Sequence, residues 1–546
     1  MQYVLPFILA MIVAMACLPV FVRLANKWLI VDQPGERKVH TIPVPRVGGL
    51  AMACGVLVAA LLTIHLEATD RWFLIAAGIL IAFGAVDDRF DLDYRLKLVG
   101  QLLAVSLVVI LGDVQIHAIT FDERITLPAW LSMPLTVIFL VGVTNAINLA
   151  DGLDGLAGGT TFLCLCAVAL LSSIGGPGAS TALALAFAGA VLGFLRFNTH
   201  PASVFMGDAG SQLLGFSVGV LSIGATQSVS SQLSAALPVL LLALPILDTL
   251  SVMVQRIGEG RSPFSPDKNH IHHKLLALGF DHHEAVMVIY AVQGLLFIAA
   301  YFLRFESDLL IIGVVSVFFA VSISLLQLAA RTGWRVRYGR QTAHQAPVHR
   351  FVDAMHRSKF LPQFSYVAIA VALGTYASLI VAETVGLSSD IRVLIVALLS
   401  VIIGFLLIVR AKPLSIIEKA VLFVTATVLV YLDAAVLSWY RPMAELAWAA
   451  VSLAAVATAI RLRLFNDRRF QLTPLDLIVL FMALVVPNLP GTLRLPHGGA
   501  LAIAKLLVIF YAIEMLVSRS ECRALWVRVG AASVLAGLWL RSFYAS

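Results

Sequence analysis

Charge is what this 546-residue chain has least of: 13% of its residues are Asp, Glu, Lys or Arg, against 60% hydrophobic. That balance excludes a soluble globular domain. Cysteine is sparse as well. Of the five, Cys17, Cys54, Cys164 and Cys166 fall in apolar runs and Cys522 in a loop, which supports core packing and neither a disulfide framework nor a cysteine zinc site. The first apolar run has no basic segment before it, and Ala14-Met15-Ala16-Cys17 lacks the aliphatic residue of a lipoprotein cleavage site. The first helix is therefore read as retained. No internal repeat relates the two halves, and no nucleic-acid partner is expected.

What is there is a succession of apolar runs, each near the length a helix needs to cross a bilayer. Eleven precede residue 331, the last two of them at about 285–302 and 309–330 and the one before those a single long run at about 232–254. Seven more follow, including one at about 473–488. The fold expected is an all-α polytopic integral membrane protein with an eleven-helix core and about seven further transmembrane helices. A core at 1–330, a basic linker at 331–362 and an additional transmembrane domain at 363–546 are the expected divisions.

With the N-terminus outside, 30 of the 38 Lys and Arg residues fall in inward loops, 7 fall outward, and Lys505 lies within a span. Such asymmetry sets orientation. It puts Asp87, Asp88, Asp151, Asp154 and Asp208 together at the cytosolic face, at the ends of apolar runs, where an unneutralised carboxylate is costly and marks a site for a metal, a proton or a substrate.

Five short segments carry chemistry. In Gly35 to Gly49, prolines stiffen a basic loop whose Lys38 and His40 can meet phosphate, although cytosolic loops are basic anyway. Asp87-Asp88-Arg89, followed by Lys97, sets two carboxylates side by side; either they share a cation or one has a raised pKa and serves as a base, and helix capping would need only one. In Asn145 to Gly159, Asp151 and Asp154 are three residues apart, with Asn148 just before them and glycines clearing space at the backbone. Arg196-Phe197-Asn198 leads to Phe205-Met206-Gly207-Asp208-Ala209-Gly210-Ser211, where an acid opens a helix; the helix end suits phosphate and Asp208 suits Mg²⁺. No Gly-Lys-Ser/Thr follows it, so it is not a Walker A loop. Finally, Ser262 to Lys274 holds His270, His272 and His273 without the His-Glu-x-x-His spacing of a zinc hydrolase, which favours contacts to phosphate oxygens over zinc. His282 and His283 have no comparable context and are read as solvent-exposed.

On these five segments, in this order, residues 1–330 resemble the polyprenyl-phosphate N-acetylhexosamine-1-phosphate transferases, the family that includes the phospho-N-acetylmuramoyl-pentapeptide transferase. Ser262-Pro263-Phe264-Ser265-Pro266-Asp267 leading into His-Ile-His-His is similar to the N-acetylhexosamine branch, which initiates O-antigen and related glycans. The resemblance implies attack of a polyprenyl (undecaprenyl) phosphate on the β-phosphorus of a UDP-N-acetylhexosamine, with N-acetylglucosamine as the default sugar, and departure of UMP. It also implies Mg²⁺, with Mn²⁺ as a substitute, held by Asp208 with Asp87 and Asp88. The same three are the implied catalytic residues. Asp151 and Asp154 fall on the nucleotide side with Asn148 and Asn198 in support, and His270, His272, His273, Lys38, His40 and Lys97 contact phosphate or sugar. A bacterial inner membrane, a cytosol-facing site and a homodimer complete the implication.

The helices after residue 331 depart from that family pattern. Asp433 and Lys505 lie at similar depth in this region and are expected to pair. A rival reading, a cation-coupled transporter, expects acids near the midplane of broken helices.

Overall fold

The computed structural model describes residues 4–33, 43–121, 123–174, 178–228, 231–262, 269–336, 360–384, 387, 389–408, 416–436, 441–464, 499–517 and 521–543. Two compact units divide the chain, one up to Tyr338 and one from Gly339 on.

In the first unit, the apolar runs become α1 (Val4–Trp28), α2 (Gly48–Thr63), α3 (Ala68–Phe90), α4 (Tyr94–Ile110), α5 (Ala129–Ala150), α6 (Leu156–Ile174), α7 (Ala179–Asn198) and α8 (Gly207–Gln227). The run expected as one span at 232–254 is broken at Leu242 into a short α9 (Leu237–Leu241) and α10 (Ala243–Gly258). Two prolines, Pro238 and Pro245, lie on either side of the break and withhold backbone donors from a continuous ladder. α11 (Ile271–Ala277), α12 (His282–Phe302) and α13 (Asp308–Thr332) close the unit.

Among the described residues, sheet is confined to two antiparallel pairs: β1 (Val31–Asp32) with β2 (Val44–Pro45), and β3 (Ala118–Thr120) with β4 (Arg124–Thr126). In a bilayer every spanning backbone group must be satisfied within its own segment, and helices do this. Eight described helices are long and apolar enough to cross a membrane. The chain is an all-α, multi-pass membrane protein.

α6 and α8 are buried on nearly every side, whereas α13 exposes most of its apolar surface. α8 packs against α3, α5 and α6, while α1 packs against α2 and α7. Among the described spans the most enclosed helix, α8, begins at Gly207-Asp208, while its neighbour α3 carries Asp87-Asp88 in its last turn and α5 ends just before Asp151. At the other end of the bundle, Asp308 of α13 accepts hydrogen bonds from the Ala236 N–H at 3.0 Å and from Ser234.

The second unit has six helices among the described residues: α14 (Phe360–Glu383), α15 (Ser389–Ile408), α16 (Ile416–Val436), α17 (Arg441–Leu464), α18 (Gly499–Val517) and α19 (Glu521–Arg541). The span expected at 473–488 lies outside the described residues. Two buried ion pairs tie these helices together. Lys505 Nζ meets Asp433 Oδ2 at 2.5 Å, as their depth in the sequence suggests, with the Tyr376 hydroxyl donating to the same oxygen at 2.9 Å. Arg528 Nε donates to Glu418 Oε1 at 2.5 Å, both side chains being fully buried. Sheltered charge is tolerated only when paired in this way.

Candidate active site

The first and fourth sequence segments are laced together by backbone. Phe205 N–H donates to Pro45 O at 2.8 Å, Gly48 N–H to Phe205 O at 3.0 Å and Gly49 N–H to Met206 O at 2.9 Å. This fixes the start of α8 against the start of α2.

Asp88 fastens the same point from α3. Its Oδ1 accepts the Asp208 N–H at 2.8 Å and its Oδ2 the Ala209 N–H at 3.1 Å, so a carboxylate from another helix satisfies two donors at the start of α8. Gly207 makes the approach feasible: its φ is +71°, and a Cβ there would overlap the Asp88 carboxylate.

Asp87, next in sequence, turns to a different partner. Lys97 Nζ of α4 stands 2.7 Å from Asp87 Oδ2 and 2.9 Å from Asp208 Oδ2. The Asp87 and Asp208 carboxyls also contact each other directly. Leu92 N–H donates to Asp87 Oδ1 at 2.8 Å, which fixes the orientation of that group. Burial first, and then Asp208, push the Asp87 carboxyl up to about 7. Asp88 is also pushed up to about 7, by burial and then by the Asp208 charge, with its two backbone N–H bonds and the Arg46 guanidinium acting against the rise.

Asp151 opens to solvent at the mouth of the site. Loss of hydration and then the charges of Asp208 and Asp154 hold its pKa above the usual carboxylate range. Asp154 is turned elsewhere, accepting from the Ala202 N–H at 3.1 Å and meeting His200 Nδ1 at 2.6 Å. Asn198 bridges the two loops: its Oδ1 accepts the Gly155 N–H at 2.9 Å and its Nδ2 donates to Val204 O at 2.9 Å. Asn148 accepts from the Ser211 hydroxyl at 2.8 Å, tying the end of α5 to α8.

The histidines converge from the far side. His270 Nδ1 meets Asp248 Oδ2 of α10 at 2.9 Å, while Asp248 Oδ1 accepts the Ile271 N–H at 2.6 Å. His272 is buried beside Gly152, where a Cβ would overlap its ring, and its Nε2 has no hydrogen-bond partner among the described residues. Burial, followed by His273, holds its pKa down to about 4, so it is neutral at pH 7. The His273 ring lies 4.2 Å from that of His272.

The structure thus gathers Asp87, Asp88, Lys97, Asn148, Asp151, Asp154, Asn198 and Asp208 around the start of α8, with His270, His272 and His273 reaching the Asp151 loop through Gly152. Lys38 and His40 lie outside the described residues. One reading is corrected: His282 and His283 are half-buried, with their rings 4.1 Å and 5.1 Å from His200. Sequence reasoning also missed Arg46, whose charge bears on Asp88, Asp151 and Asp208, and Asp248. The signal for Asp248 was available: an acid in an otherwise apolar helix is expensive unless it is used.

Chemically, two carboxylates held against one ammonium, with further polar groups around a helix start, form a place where negative oxygens and cations meet. The profile of glycosyl transferase family 4 matches residues 71–226, the interval from before Asp87 to beyond Asp208. The chain is 38% identical over 306 residues to a protein described as a probable undecaprenyl-phosphate N-acetylglucosaminyl 1-phosphate transferase of Bacillus subtilis, covering 56% of this chain and 85% of that one. It is 38% identical over 344 residues to the decaprenyl-phosphate N-acetylglucosaminephosphotransferase of Mycolicibacterium smegmatis, covering 56% and 84%. To the undecaprenyl-phosphate alpha-N-acetylglucosaminyl 1-phosphate transferase of Escherichia coli K12 it is 29% identical over 282 residues, covering 50% and 76%.

Proposed function

The chain belongs to glycosyl transferase family 4, among the polyprenyl-phosphate N-acetylglucosamine-1-phosphate transferases, and on that premise we propose that its first unit moves N-acetylglucosamine 1-phosphate from a UDP-sugar to polyprenyl phosphate. An oxygen of the lipid phosphate bonds to the β-phosphorus, the bond from that phosphorus to the bridging oxygen breaks, and UMP leaves with the electron pair. The observation that carries this reading is the joint hold of Asp87 and Asp208 on Lys97 Nζ, at 2.7 and 2.9 Å.

That arrangement fits a divalent cation. The ammonium stands in for a positive charge between two carboxylates, and the donors are all oxygen, as Mg²⁺ prefers and Mn²⁺ accepts. Asp208 and Asp87 would hold the ion; Asp88, whose two oxygens are already engaged by N–H groups, supports them by fixing the start of α8. The chemistry supplied by Mg²⁺ bound there is neutralisation of the diphosphate charge and polarisation of the attacked phosphorus.

The remaining roles follow from the side chains. Lys97 offsets phosphate charge from the α4 side. Where Asp208 holds the ion without Asp87, the Asp87 carboxyl, pushed up to about 7, can instead take the proton of a lipid phosphate monoanion. Asp151, at the mouth, faces the nucleotide side, with Asp154, Asn148 and Asn198 holding its loop. His270, His272 and His273 contact the diphosphate or sugar, and Lys38 and His40 add charge from the first loop. Asp248 orients His270. The excess of Lys and Arg on one side supports a cytosol-facing site in a bacterial inner membrane, while a homodimer rests on the family resemblance alone.

The transporter reading has no support. The relatives are transferases, and the acid in the broken helix, Asp248, is tied to His270 and Ile271. The test is UMP release by detergent-purified protein given Mg²⁺, undecaprenyl phosphate and each of several UDP-N-acetylhexosamines. Release with one donor, abolished by EDTA and by Asp208→Ala, is expected; no release with any donor from folded protein would overturn the reading.

A further inference from the structure

Three separate segments bring Asp154, His200 and His282 to one spot beside the Asp151 loop. One potential ligand atom from each lies within 4.8 Å of the other two. His200 Nδ1 is 2.6 Å from Asp154 Oδ2, the His200 and His282 rings stack at 4.1 Å and 24°, and His282 Nε2 lies 3.4 Å from the Asp154 carbonyl oxygen. The His283 ring adds a third imidazole, edge-on to His200 at 5.1 Å, and its buried Nδ1 has no hydrogen-bond partner among the described residues.

Each arm is held by a bond from the backbone or a helix start. Asp154 is fixed by the Ala202 N–H, and His282 opens α12 behind a capping box formed by Asp281 and Glu284. His200 follows directly on the end of α7, where Thr199 N–H bonds to Leu195 O at 3.0 Å. An ion pair between Asp154 and His200 would need only those two residues. It leaves unexplained why two further imidazoles are gathered on the same side.

We propose that Asp154, His200 and His282 form a binding site for a first-row transition-metal ion, Zn²⁺ in the first instance, separate from the oxygen site at Asp87 and Asp208. Two imidazoles and a carboxylate match zinc, which takes nitrogen at about 2.0–2.1 Å and tolerates a fourth, open position. Ligands of a tetrahedral ion with such bonds are roughly 3.4 Å apart, so side-chain rotations of about 1 Å close the group. Mg²⁺ prefers an all-oxygen shell, and the two sites therefore sort their ions by donor type. An ion at this position would pin the loop that carries Asp151 to the one that leads to Asp208. The proposal does not depend on the identity of the sugar or lipid.

The test uses full-length, tag-free protein in excess Mg²⁺, titrated with Zn²⁺ against a chromophoric chelator. One Zn²⁺ per chain is expected, and His200→Gln and His282→Gln should each weaken it by at least about 100-fold, beyond what loss of an outer-shell partner gives. His65→Gln, far from the group, should leave it unchanged. Because either variant could fail to fold, X-ray absorption of the zinc-loaded wild type provides a second readout: two imidazole nitrogens with oxygen in the remaining positions. Absence of stoichiometric Zn²⁺, or binding lost in His272→Gln but kept in His200→Gln and His282→Gln, would overturn the proposal.

Discussion

Asp88 holds Asp208 by its backbone: the amide N–H of Asp208 donates to Asp88 Oδ1 at 2.8 Å, across 120 residues of sequence. The acid that resembles a metal ligand in the sequence is thus the residue that sets the start of α8, while its neighbour Asp87 faces Asp208 through Lys97. Adjacent carboxylates have been given different tasks by the α-helical turn between them.

Substitutions should separate those tasks. Asp88→Ala removes the acceptor for two N–H groups and should lower stability by about 0.5–2 kcal/mol, the usual cost of a lost helix cap, with loss of transferase rate. Asp208→Ala should leave the stability of the metal-free protein near that of the parent and lower the rate by about 10³-fold or more, because several kcal/mol of charge stabilisation disappear with the ion. Thermal unfolding and UMP release on the same preparations check both.

The Mg²⁺ contribution to stability should grow with pH. Asp87 and Asp88 keep their protons to about 7 in the folded, metal-free chain, but release them near 3.8 when unfolded. Between those values the folded state binds more protons, so stability falls as pH rises from about 4 to about 7. His272, held down to about 4, has the opposite sign: its contribution is lost as pH falls below about 6.5. The difference between Mg²⁺ and EDTA isolates the acids, since the ion binds deprotonated carboxylates. The Mg²⁺-induced rise in Tm should be larger at about pH 8 than at about pH 5.5, and Asp87→Asn should flatten it; an equal rise at both pH values would contradict the assignment.

Lys97→Gln removes the charge shared by Asp87 and Asp208 and should leave two repelling acids in a half-buried site. The metal-free protein should unfold at lower temperature, with Mg²⁺ restoring part of the loss and the rate remaining low. Lys97→Arg keeps the charge and should retain more of both. Melting curves with and without Mg²⁺ provide the comparison.

Asp248→Ala should leave the Ile271 N–H and His270 Nδ1 without their acceptor. An abandoned buried donor costs about 1–3 kcal/mol, which corresponds to a rate loss of roughly 5-fold to 150-fold if it falls on the transition state. A decrease in kcat/KM for the UDP-sugar, with the Mg²⁺ dependence unchanged, is the expected pattern.

Much of the fold was legible because apolar runs and basic loops are imposed by the bilayer itself. The span from about 232 was misread because its hydrophobicity continues through the break at Leu242; composition does not report where a ladder of hydrogen bonds stops. The acids were legible for a similar reason: carboxylates beside hydrocarbon demand an explanation. Their division of labour was not, because the partners of Asp87, Asp88 and Asp154 come from α4, α8 and the loop holding His200, contacts that sequence distance conceals. His282 looked solvent-exposed because its neighbour in space lies 82 positions away by number, between His200 and His282.

The most direct measurement follows the β-phosphorus. Protein supplied with UDP-N-acetylglucosamine carrying ³²P at the β position, undecaprenyl phosphate and Mg²⁺ should deliver label to the organic-solvent-extractable lipid, together with unlabelled UMP, and Asp208→Ala should deliver none. Label that stays in the aqueous phase as UDP while sugar reaches the lipid would mean that the bond to the sugar carbon is the one broken, and would contradict the account.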